Sequence, residues 1–179
     1  MGKIENKNAK ILVIMGSDSD WQQVSETVKT LSKFGVKSEI RVLSAHRTPD
    51  RAIQVARNAE KNGFCVIIAA AGGAAHLPGV LAANTILPVI GIPIKGGSLN
   101  GVDSLLSIVQ MPAGIPVATV TLGNAGPVNA AILALEILAL NDKTLMTKLK
   151  NYRKELVARV IEADKKVAME ASELTKETK

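Results

Sequence analysis

From Phe64 to Ile94, and again from Ser104 to Leu135, the sequence contains no Asp, Glu, Lys or Arg. Each stretch is long enough to raise the question of a membrane span. Each is also interrupted at short intervals, by Pro78, Pro88 and Pro93 in the first and by Pro112, Pro116 and Pro127 in the second. Short apolar bursts between such breakers suit the buried strands of a parallel sheet, with Ala-rich helices packed on both faces. The expectation is therefore a protein without a membrane segment.

The remaining segments fit the same scheme. The run AKILVIMG ends at Gly16 and reads as a buried strand. In SDWQQVSETVKTLSKFG, Trp21, Val24, Val28 and Leu31 fall near helical spacing, and Gly35 is a helix stop. VKSEIRVLSA alternates and reads as a strand nearer an edge. TPDRAIQVARNAEKNG begins with Thr48 as N-cap and Pro49 at the first helical position, and closes at Gly63. FCVIIAAA, PVIGIPI and PVATVTL supply three further strands. Helices follow them around Leu77 to Asn84, in GVDSLLSIVQM and in PVNAAILALEILALN. Five strands, each followed by a helix, predict an α/β three-layer sandwich with a five-stranded parallel sheet in the flavodoxin-like order 2-1-3-4-5. Residues 1–142 form this domain. An extra C-terminal helix, carrying Leu145, Leu149, Tyr152, Leu156 and Val160 as its apolar stripe, belongs to 143–179 and ends in a frayed tail. It packs on the domain's own edge or on a neighbouring subunit.

Composition removes several functional classes. A net charge of +6 invites a polyanion, yet many of the basic residues lie in the first ten positions and after Asp142, as on a solvated face. Aromatic residues are 2% of the chain, too few for a base-stacking surface, so no nucleic-acid partner is expected. The single Cys65 lies in an apolar run and excludes an internal disulfide or a multi-cysteine zinc site. The opening MGKIENKNAK has no apolar core of a secretory signal, which points to a reducing cytoplasm.

Open parallel sheets bind ligands outside the carboxyl ends of their strands, so the strand-end loops are the candidates. After the first strand, GSDSDW offers Ser17, Asp18, Ser19 and Asp20. Either the carboxylates cap the next helix, or Ser17 and the helix start hold a phosphate while a carboxylate binds sugar hydroxyls. After the second, SAHRTP places His46 beside Arg47, a guanidinium suited to a phosphate or carboxylate. After the third, AAAGGAAHLPG carries His76 behind Gly72, Gly73, Ala74 and Ala75, either as a helix cap or as a site residue. Both histidines thus fall in small-residue loops at adjacent strand ends. The later loops hold Ser98, Asp103, Ser104 and Ser107, and then GNAGPVNAA; both can be pure turn chemistry, and both also lie at the same edge. No Walker A loop, GxGxxG, GxSxG or zinc spacing is present, and no metal is expected.

MGSDSDW, SAHRTPD, AGGAAHLPG and DSLLSIVQMPAGIPVATV together resemble the PurE family of purine biosynthesis, in one colinear order from about Ile11 to Leu140. The wording is closest to its class I form, the N5-carboxyaminoimidazole ribonucleotide mutases. The resemblance implies a flavodoxin-like fold, a homo-octamer with active sites between subunits, and a C-terminal helix that reaches a neighbour. It implies a small ribonucleotide substrate, with Ser17 and Arg47 on its phosphate and Asp20 on its ribose. His46 is the implied catalytic proton shuttle. Ser44, Ala45, Gly72, Gly73, Ala74, Ala75, His76 and Leu77 are the implied pocket wall. The reaction moves a carboxyl group from N5 to C4 of the imidazole through released CO2, without ATP, metal or organic cofactor. Ala70 stands where the family often has Gly, Pro127 stands where Ala or another small residue is common, and Asp18 receives no role. Two alternatives share the fold: the class II form, which carboxylates aminoimidazole ribonucleotide directly, and a non-catalytic sugar-phosphate-binding module.

Overall fold

Alternate residues of the first strand face opposite ways, and the core divides accordingly. Ile11, Val13 and Met15 of β1 (Lys10–Met15) point to one layer, and Leu12 and Ile14 to the other. In the first layer they meet Val24 and Leu31 of α1 (Trp21–Lys33) and Ala130, Ala131, Ala134 and Leu135 of α5 (Ala125–Ala139). In the second they meet Ala52 and Ala56 of α2 (Pro49–Asn58), Leu77 and Leu81 of α3 (Leu77–Ala82) and Ile108 of α4 (Val102–Val109). This is a sandwich, seen here in a computed structural model that describes residues 10–176. The expected features of residues 1–9 and of the tail 177–179 lie outside the described residues.

The sheet consists of β2 (Lys37–Val42), β1, β3 (Phe64–Ala71), β4 (Val89–Pro93) and β5 (Ala118–Thr119), in that spatial order and parallel throughout. The predicted 2-1-3-4-5 topology is the one observed. The first charge-free stretch contains β3 and β4, which are almost wholly buried and covered on both faces as its composition requires. Among the described residues no helix is long and apolar enough to cross a membrane.

Three boundaries differ from expectation, each for a local reason. β5 is two residues long rather than the whole of PVATVTL. It pairs only Ala118 with Ile90 and Thr119 with Gly91, and Pro116 upstream has no N–H to extend the ladder. α2 stops at Asn58, and turns carry the chain to Gly63, whose φ of +79° suits a residue without Cβ. α6 (Lys143–Lys176) runs past the expected end near Ser172.

The apolar stripe of α6 also divides. Leu145 and Leu149 are buried, and Lys148 Nζ donates to the Phe34 carbonyl at 2.8 Å. Tyr152 meets Phe34 edge to face with ring centroids 5.7 Å apart. The first turns of the helix therefore belong to this domain's own core. Beyond Leu156 the helix is exposed, and Val160, placed on the stripe by its spacing, is 70% exposed.

Candidate active site

Three strand ends converge on a cavity of about 470 Å³. Gly16, Ser17 and Asp20 come from the end of β1, and Ser44, Ala45, His46 and Arg47 from the end of β2. Ala71, Gly72, Ala74, His76 and Leu77 come from the end of β3. Ten of the twelve site residues expected from sequence lie on this wall. Gly73 and Ala75 do not. Gly73 makes the turn, at φ +61°, and Ala75 is turned into the core, 2% exposed. Gly16 and Ala71 were not expected on the wall; their signal was position alone, at the last turn of a strand facing the ligand edge. Ser98, Asp103, Ser104 and Ser107 stand apart from the wall. Ser104 is fully buried, and its hydroxyl donates to the carbonyls of Ile94 and Gly101 at 3.0 and 2.8 Å.

The β1 loop is held by its own side chains. Ser17 Oγ accepts the Ser19 N–H at 3.3 Å, while Asp20 Oδ2 accepts the Ser17 N–H at 3.1 Å. This reciprocal pair caps the single 3-10 turn Asp18–Asp20. Asp20 stands at the N-cap of α1 but makes no side-chain cap bond to that helix. Its carboxylate instead stays at the cavity floor, 9% exposed. Burial pushes the Asp20 carboxyl above the usual carboxylate range; the hydrogen bonds from Ser17 and Ser19 oppose this shift, and the Asp18 charge adds to it. A buried acceptor of this kind gains most from donors supplied by a ligand, such as a pair of hydroxyls.

The β2 loop is tied down by Ser44 and Thr48. Ser44 Oγ accepts the backbone N–H groups of His46 and Arg47 at 3.3 and 3.1 Å. Thr48 Oγ1 accepts the Ser44 N–H at 3.0 Å and donates to the Ser44 carbonyl at 3.1 Å. Thr48 occupies the N-cap of α2 and Pro49 follows at its start, as expected, but the hydroxyl points backward and makes no cap bond to α2. The consequence is a rigid turn whose backbone fixes where the His46 and Arg47 side chains leave the chain. Arg47 reaches back over β1, with Nη2 3.5 Å from the Gly16 carbonyl, and remains exposed.

His46 and His76 are not on neighbouring strands, since β1 lies between β2 and β3. Their rings meet across the end of β1, where Gly16 carries no side chain. His46 Nε2 and His76 Nδ1 are 2.7 Å apart, and the rings are perpendicular with centroids 4.9 Å apart. His76 stands at the N-cap of α3 without capping it, so the helix-cap reading of this residue is excluded. One buried carboxylate, one guanidinium and a linked pair of imidazoles thus surround one cavity. The set can bind a phosphorylated sugar and move a proton on what that sugar carries.

Known proteins place these features in a family. The family model described as AIR carboxylase matches residues 10–159. The chain is 52% identical over 157 residues to an N5-carboxyaminoimidazole ribonucleotide mutase of Haemophilus influenzae, covering 88% of this chain and 96% of the relative. It is 60% identical over 147 residues to one of Pyrococcus abyssi, covering 82% and 83%. Among solved structures, Treponema denticola PurE superposes with a TM-score of 0.80 at 30% identity, covering 88% of this chain and 98% of that one.

Proposed function

The chain belongs to the AIR carboxylase family, and on that premise we propose that it is an N5-carboxyaminoimidazole ribonucleotide mutase of purine biosynthesis. The observation that carries the reading is the cavity itself, where His46, Arg47, Ser17 and Asp20 converge in a wall otherwise made of Gly, Ala and Leu with Ser44 and His76. Arg47 takes the substrate phosphate, with the Ser17 hydroxyl beside it. Asp20 accepts from the ribose hydroxyls, which add donors to those its buried carboxylate already has from Ser17 and Ser19.

The chemistry then needs one proton, given and recovered. The bond between N5 and the carboxylate carbon breaks, and N5 takes a proton from His46 as CO2 is freed. C4 of the electron-rich ring attacks that CO2 and forms a C–C bond. His46 removes the C4 proton, aromaticity returns, and the enzyme is left as it began. The freed CO2 has to stay beside the ring, which suits a wall of small residues that leaves room there. A histidine suits both directions of transfer because its ordinary pKa lies near neutrality.

The purified protein is expected to convert N5-carboxyaminoimidazole ribonucleotide to the 4-carboxy isomer, followed by the absorbance of substrate and product. Turnover of aminoimidazole ribonucleotide plus CO2, with none of the N5-carboxylated compound, would instead make it a direct carboxylase. Binding of the nucleotide without any turnover would leave a sugar-phosphate-binding module.

The exposed half of α6 supports an assembly with neighbouring subunits, a homo-octamer by the family resemblance. Val157, Val160, Ile161 and Val167 are each more than half exposed, an apolar series that a neighbouring subunit would cover. Truncation after Leu156 keeps the turns that pack on Phe34 and removes this series. The expected result is a folded protein of lower assembly mass by light scattering. An unchanged mass would show the exposed half of the helix to be peripheral.

A further inference from the structure

We propose that His76 is a positioning residue: by holding Nε2 of His46, it assigns Nδ1 of His46 as the atom that exchanges the proton with substrate. The proposal rests on the mutase reading for its chemistry, but its geometry stands on the 2.7 Å contact between His46 Nε2 and His76 Nδ1. A single proton lies in such a bond, so one ring donates and the other accepts. Among the described residues, neither Nδ1 of His46 nor Nε2 of His76 has a protein partner.

The proton count fixes the sense of the bond. Before reaction the pair carries one proton more than two neutral rings, placed as Nδ1–H on His46, Nε2–H donated to His76 Nδ1, and Nε2–H on His76. Transfer of the His46 Nδ1 proton to N5 leaves a bare Nδ1 lone pair, while Nε2–H stays committed to His76. That lone pair then takes the C4 proton, and the starting state is restored. Without an acceptor at His76 the neutral His46 ring is free to adopt the other tautomer, with Nδ1 protonated and unable to act as the base. The perpendicular rings add a second restraint, because rotation of His46 about its own bonds breaks the contact.

Two measurements test this. The chain has only two histidines, so histidine-selective ¹⁵N labelling gives unambiguous ring signals. The expected spectrum of substrate-free protein shows a ¹⁵N–¹⁵N coupling across the bond, and it persists with the 4-carboxy product bound. Absence of coupling in the free protein, or its loss on product binding with Nε2 of His46 turned to the ligand, overturns the assignment. This readout is independent of turnover, so it stands even where the mutase assay fails.

The second measurement compares His76→Asn with His76→Leu. Asn presents an acceptor at the position of the imidazole Nδ1, whereas Leu presents none. His76→Leu is expected to lose about 10²-fold in kcat, the low end of general acid–base effects, with KM changed less than about threefold. His76→Asn is expected to retain kcat within about fivefold. A rise in KM with kcat unchanged in His76→Leu would make His76 a substrate contact instead. Equal kcat loss in both variants would show that a second imidazole, not a fixed tautomer, is required.

Discussion

Replacing His46 with Asn is expected to leave ribonucleotide binding nearly intact and to lower kcat by about 10³-fold or more, within the range of general acid–base catalysis. Asn carries no titratable proton, so it can neither supply N5 nor relieve C4. The fold is expected to tolerate the change. The His46 side chain is exposed, and the turn is held through its backbone N–H on Ser44 Oγ and through Thr48. Exposed substitutions of this kind shift stability by about 0.5 kcal/mol or less. Binding is expected to survive because the phosphate and ribose contacts belong to Arg47, Ser17 and Asp20. The check pairs single-turnover kinetics with calorimetric binding of the 4-carboxy product. A kcat within tenfold of the unaltered enzyme would remove His46 from the proton transfer, and a matching loss of binding would make it a recognition residue.

The fold could be read from the chain because its signals are local and repeated. Glycines after the first strand (Gly16) and after the first two helical patterns (Gly35, Gly63) mark where the chain turns, and the first charge-free stretch marks the inner strands β3 and β4. The extent of β5 was not legible in the same way. Edge strands end where their neighbour stops offering partners, and that is a property of β4 and Pro116 together. The site was legible as a set of loops, since strand ends in such sheets face one edge. Its internal wiring was not. SAHRT shows a serine and a threonine before a proline, but not that Ser44 accepts two backbone donors while Thr48 points backward. Two histidines thirty positions apart do not announce a 2.7 Å bond, because that distance depends on side chains reaching across the end of a third strand. Nor does AGGAAH show that Ala75 faces the core while Ala74 faces the cavity.

Arg47→Ala is expected to raise the substrate Kd by about 10- to 100-fold, the range of a hydrogen bond to a charged group, while leaving the proton chemistry of bound substrate largely unchanged. The β1 loop has the serines of a phosphate cradle, but both serine amides are engaged. The Ser17 N–H goes to Asp20 and the Ser19 N–H to Ser17 Oγ and Asp18 Oδ1. The turn adds the Ser17 hydroxyl but no positive charge, since its ionisable side chains are the carboxyls of Asp18 and Asp20. Among the described residues, Arg47 is the only Lys or Arg on the cavity wall, so the dianion depends on it. Among the described residues, the one hydrogen bond of its guanidinium is the long approach to the Gly16 carbonyl at 3.5 Å, which leaves most of its donors for a bidentate grip. Because the side chain is exposed and makes no shorter bond, its loss is expected to cost little stability. Arg47→Lys should fall between the two, keeping the charge without the planar fork. The decisive comparison uses the dephosphorylated nucleoside. If Arg47 holds the phosphate, the Ala variant and the unaltered enzyme bind the nucleoside equally weakly. An equal penalty for nucleoside and nucleotide would place Arg47 against the ring or the ribose, and the orientation of substrate toward His46 would then need a different anchor.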